Sequence, residues 1–137
     1  MTYILLIEDD LRQAKWVASV LSGEGFSVKH ASSAARGLLM IRQQVPGLIL
    51  MDLELPDMPG QTAAQMIRKE LGDRTPPIVA FSAHDDGAYR QSAKQAGCQA
   101  FIAKPSNADE LLYTAQYFLN RSSDGHDTGP LAVNSLS

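Results

Sequence analysis

A single cysteine, Cys98, stands among the 137 residues. Neither an internal disulfide nor a zinc site built on several thiolates can form from it, which excludes disulfide frameworks and zinc fingers. No apolar run approaches the roughly 18 residues that a membrane-spanning helix needs. The opening Met1-Thr2-Tyr3-Ile4-Leu5-Leu6-Ile7 lacks a basic stretch and meets acids at Glu8 and Asp9, so it does not read as a signal peptide. Basic charge is scarce too: 12 Lys and Arg against 15 Asp and Glu leave a net −3. That is the wrong sign for an electrostatic hold on nucleic acid. Internal repeats are absent. What is present is ordinary for a globular protein, with 45% apolar and 20% charged residues. The length suits one domain, able to bury roughly 70% of its unfolded surface. A small cytoplasmic domain is expected, with neither membrane nor direct nucleic-acid contact.

Four short apolar runs mark the first hundred residues: Tyr3 to Ile7, Leu48 to Met51, Ile78 to Phe81 and Ala100 to Ala103. Each is nearly continuous, as a strand is when both faces of a parallel sheet are covered. Phe26 to His30 alternates apolar and polar residues and suits a strand nearer an edge. Between the runs the period turns helical. Leu11, Ala14, Ala18 and Leu21 share one face, and Ser32 or Ser33 can cap a helix through Leu38 and Ile41. A third helix spans Gly60 to Leu71, and Asp85 or Asp86 can cap a fourth, ending near Gly97. Asn107 and Glu110 have capping-box spacing and open a fifth helix through about Leu119. Five β-α repeats predict an α/β fold with a doubly wound, five-stranded parallel sheet. Residues 1–120 then form the domain. Residues 121–137, with four serines, two glycines and Pro130, read as a tail or the start of a linker.

In such a sheet ligands bind beyond the carboxyl ends of the strands. Strand one ends in Glu8-Asp9-Asp10, strand three in Asp52, strand four in Ser82 and strand five in Lys104-Pro105. Parallel strands bring these together as a carboxylate cluster with one hydroxyl and one ammonium. Crowded carboxylates raise a pKa or call for a cation, and Mg²⁺ suits a few carboxylates together with phosphate oxygens. An aspartate in that setting can be the nucleophile of phosphoryl transfer. Taken singly, each piece has a plainer reading as a cap, a turn or a loop. The conjunction at four strand ends raises the functional one above it.

These residues resemble the receiver domain of two-component response regulators, over about residues 2 to 120. The resemblance is carried by Ile4-Leu5-Leu6-Ile7-Glu8-Asp9-Asp10, by Leu50-Met51-Asp52 continuing to Gly60, by Ile78-Val79-Ala80-Phe81-Ser82-Ala83 and by Ala100-Phe101-Ile102-Ala103-Lys104-Pro105. The spacing also fits, with 30 residues from Asp52 to Ser82 and 22 from Ser82 to Lys104. Chemotaxis-type single-domain receivers are the similar form, with a flavodoxin-like sheet in strand order 2-1-3-4-5. The resemblance implies that Asp52 is the phosphoacceptor. Glu8, Asp9 and Asp52 would hold Mg²⁺ with the backbone carbonyl of Glu54, leaving Asp10 as a cap. It further implies that Ser82 and Lys104 take phosphoryl oxygens and that the Lys104–Pro105 bond is cis. Phe101 falls at the family's switch position, where the ring is expected to turn inwards as Ser82 moves to the phosphoryl group. Glu54 and His84 would flank the path of attacking water and tune the lifetime of the phosphate.

A histidine kinase or histidine phosphotransfer protein is the implied partner, in a bacterial cell. The face of helix four, strand five and helix five is the implied output surface and a possible dimer contact. No output domain is expected within this chain, which would act by protein contact, either alone or as the N-terminal receiver of a longer regulator or hybrid kinase. Trp16 lies off the helix-one stripe and is expected to pack in part against helix five, whose Tyr113, Tyr117 and Phe118 exceed what an inner face needs. His30 and His126 read as surface residues without partners. A haloacid-dehalogenase-type phosphatase would place its nucleophile after strand one in an Asp-x-Asp pair, which Asp52-Leu53-Glu54 is not. A receiver-like module that is never phosphorylated usually lacks the acid or the lysine, and both are present here.

Overall fold

The continuous apolar runs become strands because each has both faces covered. In the computed structural model, which describes residues 2–124 and side chains through Asn120, five strands alternate with five helices. The strands are β1 Ile4–Ile7, β2 Val28–Ala31, β3 Leu48–Asp52, β4 Ile78–Ser82 and β5 Ala100–Ala103. The helices are α1 Leu11–Gly23, α2 Ala34–Gln43, α3 Gly60–Leu71, α4 Gly87–Gln95 and α5 Ala108–Asp124. All strand pairs are parallel and the order is β2-β1-β3-β4-β5. This is the doubly wound, flavodoxin-like architecture expected.

Side chains divide between the two faces with the period of two that a strand imposes. Leu5, Ile7, Ile49, Met51, Ile78, Ala80 and Phe101 point into the core under α2, α3 and α4. Ile4, Leu6, Leu48, Leu50, Val79, Phe81 and Ile102 point into the core under α1 and α5. Each large aliphatic so buried contributes about 1.5–3 kcal/mol relative to exposure. β2 is one edge of the sheet, and its Lys29 and His30 are exposed.

Three details depart from the sequence expectation. The buried stripe of α1 is Ala14, Val17 and Leu21, whereas Leu11 is 62% exposed. Leu11 opens the helix just past the carboxyl edge of the sheet, where the apolar side chains of β1 have ended, so the stripe starts one turn later. Tyr117 and Phe118 are buried edge-to-face, their ring centroids 4.9 Å apart, leaving only Tyr113 of the three aromatics exposed. The aromatic surplus expected on α5 is therefore core. The helix also continues to Asp124 rather than stopping near Leu119. Beyond Asp124 the expected tail, with His126, lies outside the described residues. Trp16 remains 38% exposed. No helix among the described residues is long and apolar enough to cross a membrane.

Candidate functional site

Asp52 is the last residue of β3 and Ser82 the last of β4, while Glu8 and Lys104 directly follow β1 and β5. Parallel pairing in register brings these four positions to one edge. Glu8, Asp9 and Asp52 each bring a carboxylate oxygen to within 4.8 Å of the others. Glu8 and Asp52 are buried and Asp9 is exposed. Asp10 turns away from them to the helix, where its Oδ1 accepts from the amides of Arg12 and Gln13 and caps α1. Of the three consecutive acids, the geometry thus groups Glu8 and Asp9 with Asp52 and gives Asp10 to the helix.

Lys104 Nζ donates to Glu8 Oε1 at 2.8 Å and stands 3.6 Å from Asp52 Oδ1. Burial lowers its pKa, but the bond to Glu8 and the charges of Asp52, Glu8 and Glu54 outweigh that and hold the ammonium above its usual range. Asp52 Oδ1 also accepts the amide of Glu54 at 3.0 Å. Burial first, then the hydrogen bonding and charge of Glu8, push the Asp52 carboxyl up to about 8, against the Glu54 amide and Lys104. One ammonium therefore does not neutralise the acids around it. Three hard oxygen donors with a deficit of positive charge match a divalent cation such as Mg²⁺, so the residues present fit the implied metal.

Ser82 is fully buried, and its hydroxyl donates to Glu54 Oε2 at 2.9 Å while accepting the His84 amide at 3.0 Å. The same Glu54 oxygen receives the Tyr89 hydroxyl at 2.5 Å. Burial and then the Glu54 bond push the Tyr89 phenol up to about 12, with the Gln61 amide pulling the other way. The His84 and Tyr89 rings lie 5.3 Å apart. Phe101 is fully buried, with the Arg90 guanidinium 4.6 Å from its ring centre. Its ring is thus already inside while Ser82 is bonded to Glu54, although an inward ring was expected to accompany a displaced serine. A phenyl ring without a hydroxyl gains most from burial and has no polar tip to keep at the surface. The Lys104–Pro105 peptide is cis.

Several residues around the site are not announced by the sequence. His30 is not without a partner: its Nε2 lies 2.6 Å from the backbone oxygen of Glu8, because β2 runs beside β1 and ends level with it. Asp57 accepts the Ala34 and Ala35 amides at 3.1 and 2.9 Å, satisfying two open donors of α2 from a different loop, while Ser33 takes the Arg36 amide. No sequence pattern announces a cap supplied from 22 residues away. Tyr89 carried only a local signal, its place three residues after the capping Asp86.

Comparison with known proteins agrees with this geometry. A family model described as response regulator receiver domain matches residues 4–116. The chain is 30% identical over 131 residues to the KDP operon transcriptional regulatory protein KdpE of Escherichia coli, covering 96% of this chain and 57% of that protein. It is 25% identical to the polar-differentiation response regulator DivK of Brucella ovis, covering 85% of this chain and 94% of DivK. The crystal structure of the receiver domain of NtrX from Brucella abortus superposes with a TM-score of 0.78 at 30% identity, covering 85% of this chain and 98% of that one. The chain belongs to the response regulator receiver domain family. It spans about half the length of KdpE and of the MtrA regulators that it also matches.

Proposed function

We propose that the chain is a phosphoacceptor switch that takes a phosphoryl group onto Asp52 from a histidine kinase or a histidine phosphotransfer protein. The observation that carries this reading is the setting of Asp52: a nearly buried carboxylate grouped with Glu8 and Asp9, with the Lys104 ammonium 3.6 Å away. Mg²⁺, held by the carboxylates of Glu8, Asp9 and Asp52 and the backbone carbonyl of Glu54, would keep Asp52 ionised and neutralise charge on the phosphoryl oxygens. A carboxylate oxygen of Asp52 attacks phosphorus, the new P–O bond forms, and the P–N bond to the donor histidine breaks. The departing imidazole keeps that electron pair and takes a proton. Lys104 turns from the acids to a phosphoryl oxygen, and the Ser82 hydroxyl donates to another. Attack of water on phosphorus later breaks the P–O bond, releasing phosphate and restoring the Asp52 carboxylate. Glu54 and His84 border that approach and set its rate.

Phosphorylation biases contacts rather than driving a conventional enzymatic turnover. Movement of the buried Ser82 towards the phosphoryl group, against a Phe101 ring already packed inside, relays the change to the surface of α4, β5 and α5, where a target or a second copy would bind. Coverage of 57% of KdpE favours a second reading, in which this is the receiver of a longer regulator. The complete reading frame separates the two. Acetyl phosphate and Mg²⁺ test the phosphoacceptor itself by intact mass. Wild type is expected to gain one phosphoryl group, and Asp52→Ala none. Equal gain in both, or gain in neither, overturns the reading.

A further inference from the structure

One oxygen, Glu54 Oε2, serves two hydroxyls that belong to different parts of the molecule. Ser82 reaches it from the end of β4, and Tyr89 from the first turn of α4. A serine hydroxyl has a single proton to give. While that proton is committed to Glu54, Ser82 cannot donate it to a phosphoryl oxygen on Asp52. Ser82 is fully buried, so water does not replace the bond when it breaks. The Tyr89 hydroxyl fixes the acceptor side of the contact, since a short O–H···O⁻ bond to a carboxylate is among the stronger hydrogen bonds a protein makes.

We propose that Tyr89 is a positioning residue for the phosphoryl chemistry: its hydroxyl holds the Glu54 carboxylate against Ser82 and keeps Ser82 out of the phosphoryl site until Glu54 lets go. The proposal rests on the phosphoacceptor reading of Asp52. Because Tyr89 belongs to α4, the bond also ties the start of that helix to the β3–α3 loop, and turning the Ser82 hydroxyl to donate its hydrogen bond to a phosphoryl oxygen removes one of the two donors that hold Glu54 in place. The resting arrangement and the position of the α4 N-terminus are then coupled through one carboxylate oxygen.

Tyr89→Phe removes the hydroxyl and keeps the ring beside His84. With Mg²⁺ and beryllofluoride as a phosphoryl stand-in, the variant is expected to bind roughly three- to tenfold more tightly than wild type, the worth of one hydrogen bond no longer opposing the change. In a Glu54→Gln background the same substitution should have little effect, because the charged acceptor is gone. A role confined to packing would give the same change in both backgrounds. A second readout needs no metal. In Mg²⁺-free protein the Tyr89 ¹³Cζ resonance, identified by its loss in Tyr89→Phe, should move when Glu54 is replaced by Gln. Equal beryllofluoride affinity in wild type and Tyr89→Phe, an equal change in both backgrounds, or an unmoved resonance overturns the positioning role and leaves the phosphoacceptor reading intact. Failure of wild type to bind beryllofluoride overturns both.

Discussion

Lys104 and Glu8 lie 96 positions apart in the chain and meet at 2.8 Å between Nζ and Oε1, and the same ammonium reaches to 3.6 Å from Asp52 Oδ1. One cation thus stands between two buried acids supplied by different strands, with the exposed Asp9 beside them. A lysine so placed competes with any divalent cation for the same carboxylates, yet it is also the group available to a phosphoryl oxygen.

Lys104→Ala should therefore separate metal binding from phosphoryl transfer. Removing a positive charge that stands 2.8 Å from Glu8 and 3.6 Å from Asp52 should tighten Mg²⁺ binding by about fivefold or more, equivalent to about 1 kcal/mol in a solvent-accessible site. Phosphorylation by acetyl phosphate should fall by about tenfold or more, since a charge-neutralising contact in the transition state is lost. Calorimetric Mg²⁺ titration and the kinetics of intact-mass change check the two parts. Weaker Mg²⁺ binding in the variant would contradict the assignment.

Asp52 gives the metal-free protein a specific pH dependence. The unfolded chain releases this proton in the ordinary carboxylate range, whereas the folded protein holds it up to about 8. Between those values the unfolded state binds fewer protons, so stability falls as pH rises. Asp52→Asn cannot ionise and escapes the penalty, which for a charge poorly compensated in a buried site is about 1–3 kcal/mol. With a chelator present, the melting temperature of the variant should exceed that of wild type at pH 8, and the gap should narrow towards pH 5. A gap that widens towards pH 5 would show the opposite sign.

Asp57 predicts the reverse trend. Its slight burial raises the carboxyl pKa, but the amides of Ala35 and Ala34, with those of Asp57 and Met58, outweigh that and hold it below its ordinary value. Its stabilisation is present above the ordinary carboxylate range and is lost as pH falls through the depressed value. Asp57→Ala should cost about 1 kcal/mol at neutral pH, as loss of a helix cap does. Urea denaturation should show the difference shrinking as the medium becomes strongly acidic.

Gly60 tests how tightly the β3–α3 loop is built. A Cβ there would lie 2.6 Å from the Asp52 backbone oxygen and 2.7 Å from Leu53 Cα. Neither is the tip of a flexible side chain, so Gly60→Ala must displace the backbone that carries Asp52. Destabilisation of roughly 1–3 kcal/mol is expected, together with slower phosphorylation at full Mg²⁺. Unchanged values of both would show that the loop yields freely.

The sheet and most of the site were legible because both follow from strand position. Residues such as Leu50 and Val79 lie in unbroken apolar runs that only a doubly covered sheet explains. A parallel sheet then gathers Glu8, Asp52, Ser82 and Lys104 at one edge. What was not legible depends on where side chains end rather than where elements begin. Val17 displaced Leu11 from the α1 stripe because the first helical turn stands beyond the apolar part of β1. His30 meets the Glu8 carbonyl only through strand pairing, and Asp57 reaches α2 across a loop. The Glu54 side chain could be placed near the site, but its joint hold on Ser82 and Tyr89 is a contact between β4, the β3–α3 loop and α4 that no spacing encodes.

The central claim is that Asp52 itself carries the phosphoryl group. Protein treated with acetyl phosphate and Mg²⁺, reduced with borohydride and then digested would convert an acyl phosphate into homoserine at the modified position. Peptide mass mapping should find homoserine at position 52, dependent on both the phosphodonor and Mg²⁺. Homoserine at another acidic position, or an unmodified peptide containing Asp52 after full treatment, would contradict the account.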